Sequence, residues 1–138
     1  MSAIPVDSPA IEKDRSGAAG RLRMVGAGRI SLDWGATTEV VPWSDVISAR
    51  SVQNHTEIVT HDRTLKVHCP LKTIVAMLAS LGLVQVRRDV AVNGSRVRRL
   101  VGAGRHRLTV ILEGGACVQV GRQFQRDIRA QFGVSAGG

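Results

Sequence analysis

Residues 108–120 read LTVILEGGACVQV, and their alternation decides the class of fold. Leu108, Val110 and Leu112 stand two apart, as do Ala116, Val118 and Val120, with Glu113-Gly114-Gly115 between the two runs. Successive side chains of a strand point to opposite faces, so a period of two gives each run one apolar face, whereas a helix needs a period of 3.6. The segment therefore predicts an antiparallel hairpin with one face to bury.

Working outward, Phe124, Ile128 and Phe132 recur every four residues and predict a short terminal helix ahead of a Gly-rich tail at 134–138. Upstream, Leu83–Val92 and Val97–Val101 read as strands, with Asn93-Gly94 as a turn signal between them. Leu71, Ile74, Val75, Leu78 and Leu81 change to helical spacing, bounded by Pro70 and Gly82. Further back, Arg21–Val25 and Arg29–Asp33 flank Gly26-Ala27-Gly28, Glu39–Trp43 leads to Val46–Arg50, and Glu57–Thr60 and Thr64–Val67 flank His61-Asp62-Arg63. All of these read as β elements. Residues 1–20 mix Pro, Ser, Gly and Ala without a period and read as a flexible tail. The expectation is one mainly β domain over 21–133, with two short α-helices and a tail at either end.

With 43% hydrophobic residues the chain is globular in composition, and no apolar run approaches the roughly 20 residues that a membrane helix needs. Residues 1–20 lack a basic region followed by an apolar one, so no secretory signal is read there. Two cysteines make no disulfide framework, and a reducing cytoplasm is expected. Fewer than the 50 residues a domain typically needs precede the first strand, so no receiver domain is expected before residue 21.

The formal charge is +8, and all but Lys13, Lys66 and Lys72 among the nineteen basic residues are Arg. From Val84 to Ala130 ten arginines face only Asp89, Glu113 and Asp127, so nearly the whole excess lies in that half. One-sided positive charge is the electrostatic footprint of a polyanion-binding face, and the planar guanidinium suits phosphate and guanine. Nucleic acid is the partner it points to. RNA is disfavoured, because with no Tyr, two Phe and two Trp the chain lacks an aromatic platform for unstacked bases.

Other signals do not carry chemistry. Val-Gly-Ala-Gly-Arg occurs at 25–29 and at 101–105, but Ser31 and Arg107 stand where a dinucleotide fingerprint needs its third Gly, and strand-like sequence follows. His55, His61, His68 and His106 with Cys69 and Cys117 include no C-x-x-C or H-x-x-x-H pair, so no metal or other cofactor is expected. No nucleophile elbow or paired carboxylate stands out, and no enzyme is read.

Leu83-Val84-Gln85-Val86-Arg87-Arg88-Asp89-Val90-Ala91-Val92-Asn93 resembles the hallmark F-x-R-x-H-R-S-Y-I-V-N of the LytTR DNA-binding family of bacterial response regulators. Val46-Ile47-Ser48-Ala49-Arg50 resembles the family's upstream strand and is followed by the Asn54-His55-Thr56 loop. Val120-Gly121-Arg122 is similar to its closing V-S-R motif before the last helix. The resemblance implies an elongated β fold that presents loops to successive major grooves. It places Arg88, Arg122 and the Asn54-His55 loop at DNA-contacting positions, and Arg87 and Arg126 complete the expected contact set. Arg87 stands in place of the usual His, Asp89 of the usual Ser and Val90 of the usual aromatic residue. Asp89 repels a phosphate unless it pairs with Arg87 or Arg88.

The expected function is a sequence-specific transcriptional regulator, with a homodimer on repeated half-sites as one assembly. The alternative is a regulatory module on the same fold that binds a protein partner as an antagonist of another regulator. Asp89 motivates that second reading.

Overall fold

The computed structural model describes residues 20–26, 28–104 and 107–133. Residues 1–19 and 134–138, read as tails, and Ala27, Arg105 and His106 fall outside the described residues. Among the described residues, eleven strands form three antiparallel sheets. β1 (Arg21–Val25), β2 (Arg29–Trp34) and β3 (Thr37–Pro42) make a meander. β4 (Val46–Val52), β5 (His55–Thr60), β6 (Thr64–Val67), β7 (Leu83–Arg87) and β8 (Val90–Asn93) make a central sheet of order β6-β5-β4-β8-β7. β9 (Val97–Ala103), β10 (Arg107–Leu112) and β11 (Cys117–Gln119) make the third. Helix α1 (Leu71–Leu78) runs on through a 3-10 turn, Ala79–Leu81, and α2 (Gln125–Gln131) follows another, Arg122–Phe124.

The central sheet is buried on both faces. Ala49, Ile58, Leu65, Leu83 and Ala91 pack with Leu22, Ile30, Leu32 and Val41 of the first sheet and with Leu71, Ile74 and Leu78 of α1. On the other face Val86 and Val92 pack with Leu108, Val110, Leu112 and Val120 of the third sheet and with Ile128 of α2. The alternation at 108–120 thus buries its Leu and Val face, and β10 and β11 pair as the hairpin expected. A seven-residue helix is too short to hold in water by itself, so α2 is stabilised by burying Ile128, a side chain whose removal from water contributes about 1.5–3 kcal/mol.

Two expectations need correction. The single strand at Leu83–Val92 is two strands, folded back on each other at Arg88-Asp89 with a bulge between Gln85 and Arg87. The Gln85 side-chain amide donates to the carbonyls of Arg87 at 3.1 Å and Arg88 at 3.3 Å, and so holds a turn that contains no Gly or Asn. Asn93-Gly94, read as the hairpin turn, instead opens a 3-10 turn, Gly94–Arg96, that carries the chain from the central to the third sheet. The buried Asn93 side chain donates to Trp43 O and Val46 O and accepts from Ser95 N, tying three segments together. Gly20 bonds to Lys66 O and accepts from His68 N, each at 2.8 Å, and so belongs to the fold.

Candidate nucleic-acid interface

The register of the central sheet decides which loops meet. β4 ends in the Gln53-Asn54 turn, where Gln53 takes a left-handed φ of 54°, and β5 returns from it. β8 runs antiparallel to β4 with Arg50 opposite Val90, so the Arg88-Asp89 turn lies at the same end of the sheet. A direct bond joins the two tips: Ser51 N donates to Asp89 O at 2.9 Å. β6 also ends there, and Pro70, ahead of α1, lines a cleft with Ser51, Gln53, Asn54 and His55.

The third sheet adds its own loop. Gly121 N donates to Val86 O at 2.7 Å, which seats the turn before α2 against β7. A Cβ on Gly121 would lie 3.3 Å from the Phe124 ring and 3.6 Å from Arg87 Cα, so this close approach favours glycine. The bulge near Val86 puts Arg87 on the same face as Val90, towards this turn. Arg122 follows directly. The structure therefore brings Arg87, Arg88, Arg122 and the Asn54 loop to one end of the molecule, although they are far apart in sequence. Arg126 lies one helical turn beyond Arg122 on α2, also exposed.

The side chains at this end differ in their freedom. Arg88, Arg122 and Arg126 are exposed and make no ion pair among the described residues. Arg87 is held by Asp89, with Nε 3.2 Å from Oδ1 and Nη2 3.5 Å from Oδ2. The hydrogen bond from the Arg87 guanidinium keeps the Asp89 carboxyl below the usual aspartate range. Asn54 is exposed, whereas the His55 side chain is only 17% exposed and its Nε2 is covered without a hydrogen bond, 3.8 Å from a Glu57 oxygen. Of that pair, Asn54 is the residue offered to a ligand.

Sequence reasoning missed Arg50. It stands opposite Val90 and Glu57, and Val90 stands opposite Arg87, so Arg50 and Arg87 share one face of the sheet. Arg50 Nε donates to Glu57 at 2.9 Å. Nothing in the local pattern marks this position, because it depends on the order of strands. Conversely, Arg96 and Arg98 turn away from the interface: Arg96 donates to Glu113 at 2.9 Å and to Ser44 O, and Arg98 lies 3.6 Å from Glu113. They stabilise the opposite end of the molecule, where Asp45 and Asp62 also lie beside the turns that enter β4 and leave β5.

The described residues include no group of three or more His, Cys, Asp or Glu able to hold a metal ion. No described helix is long and apolar enough to cross a membrane. No curated protein matches the chain. Among solved structures, a LytTr DNA-binding domain from Bacillus cereus matches with a TM-score of 0.67 and 17% identity, covering 78% of this chain and 99% of that one. At that identity the likeness shows the fold, including three sheets with two short helices. The LytTr DNA-binding domain family profile matches residues 36–133, more than half of the chain, and spans both tips, the Arg122 turn and α2. The chain therefore belongs to the LytTr DNA-binding domain family, a family of DNA-binding domains and not of enzymes.

Proposed function

We propose that this chain is a sequence-specific transcriptional regulator that binds double-stranded DNA through the loops at one end of its central sheet. The observation that carries the reading is the convergence of the Asn54 tip, the Arg88 tip and the Arg122 turn, joined by the Ser51–Asp89 and Gly121–Val86 bonds. Strand order sets the two tips two strand spacings apart, about 10 Å. That separation is comparable to the roughly 12 Å width of a major groove, so side chains from both tips reach one groove together. Arg88 and Arg122 fork onto guanine O6 and N7, Asn54 bonds a base edge, and Arg126 holds a phosphate.

Asp89 motivated the reading as a protein-binding module, and its pairing with Arg87 removes that motive. Selection of bound duplexes from a random library tests the proposal. Enrichment of a defined motif by the wild type, relaxed at one position with Arg88→Ala, is the expected result. Failure to enrich any motif, together with no duplex binding at low salt, overturns it.

A further inference from the structure

The cations at the contact end fall into two groups. Arg88, Arg122 and Arg126 are unpaired among the described residues, while Arg87 and Arg50 are each bound by a carboxylate on the same face of the sheet. The Arg87–Asp89 pair uses both carboxylate oxygens and the Nε–Nη2 edge of the guanidinium, which is the edge that a phosphate would take. Asp89 is held at its backbone. Its backbone carbonyl accepts from Ser51 N at 2.9 Å, and the Gln85 amide bonds both Arg87 O and Arg88 O, so the turn is held from two strands. At the same time the pair is solvent-exposed, with side-chain accessibilities of 42% and 55%, and therefore contributes little to folding. A charge pair that does little for stability, fixed at the tip of a nucleic-acid interface, is placed to act on binding.

We propose that Asp89 limits the affinity of this end for DNA: it occupies Arg87 and so withholds one cation from the phosphate backbone. Non-specific affinity for DNA rises with every phosphate neutralised, whatever the sequence, while discrimination comes from base edges. Masking Arg87 therefore lowers binding to random and selected duplex alike, and leaves a larger share of the remaining affinity at the selected site to the base contacts of Arg88 and Arg122. The inference rests on the DNA-binding reading above.

The test compares wild type, Asp89→Asn, Arg87→Gln and the double variant on a random-sequence duplex and on the duplex selected by the wild type, across a series of salt concentrations. Asp89→Asn frees Arg87 for one more phosphate. Its log-affinity against log-salt slope on random duplex steepens by about 0.9, which makes binding fall about threefold further across a fourfold rise in salt. The slope on the selected duplex steepens equally, so the ratio of selected to random affinity stays unchanged. In the Arg87→Gln background the same substitution changes the slope by nothing measurable, and Asp89→Ser repeats the Asp89→Asn result. An unmoved slope overturns the inference, as does equal steepening with and without Arg87, which is a long-range charge effect. Weaker binding of Asp89→Asn to the selected duplex alone overturns it too, since Asp89 is then itself reading a base. If the wild type does not separate selected from random duplex, the DNA-binding reading fails. If it does and the slopes are equal, only the role of Asp89 fails.

Discussion

At the scale of single residues, the proposed interface separates the residues assigned to reading sequence from their supports. Arg88 and Arg122 are exposed and free of ion pairs among the described residues, and each projects from a turn that backbone bonds hold in place. Replacing either with Ala is expected to cost about 1–3 kcal/mol on the selected duplex, the range of one bidentate base contact, and to relax discrimination at one position. Competition binding measures it, and equal weakening on random duplex would reduce the residue to a phosphate contact. Asp89 allows a second prediction at this scale. Its folded-state pKa is lowered by the Arg87 hydrogen bond, so the pair's contribution is present above the ordinary aspartate range and is lost as pH falls through the lowered value. An NMR titration of the Asp89 carboxyl should give a midpoint below that of a free aspartate, and a higher one in Arg87→Gln than in the wild type. Between pH 5 and 8, Asp89 therefore contributes no titration to DNA binding.

At the scale of elements, the interface is only as well placed as the strands beneath it. Asn93 is the connecting residue, since its buried amide satisfies Trp43 O and Val46 O at the entry to β4 and caps the turn into the third sheet. Asn93→Ala leaves those buried carbonyls without a donor and is expected to destabilise the fold by about 2–3 kcal/mol, as read by urea denaturation, whereas a loss within a few tenths would show that water replaces the amide. Much at this level was legible in the sequence: the alternation at Leu108–Val120, the helical spacing from Leu71 and the recurrence of Phe124, Ile128 and Phe132 each correspond to an element that forms. The Arg88-Asp89 turn was not legible. Neither Arg88 nor Asp89 takes a positive φ, and bonds from Gln85 and Ser51 hold the turn, which depend on which strands become neighbours. Asn93-Gly94 misled for the complementary reason, because a strong local turn signal was used to cap a 3-10 turn between sheets. At the site, family resemblance pointed to Arg88, Arg122 and the Asn54 loop, but Arg50 and the near-burial of His55 follow only from cross-strand register.

At the scale of the whole molecule, the two ends of the central sheet carry different chemistry. One end gathers the Gln53-Asn54 tip, the Arg88-Asp89 tip and the Arg122 turn, while the other holds Asp45, Asp62 and Glu113 with Arg96 and Arg98. In the proposed reading the exposed Arg88, Arg122 and Arg126 at the first end steer an approaching duplex, since an uneven field guides association. The central claim is that DNA meets the first end alone. Mapping backbone amide shifts on addition of the selected duplex tests it most directly. The account predicts that Gln53, Asn54, Arg88 and Arg122 shift together, while Gly28 and Glu113 at the far end stay unmoved; the largest shifts at Gly28 and Glu113 would contradict it.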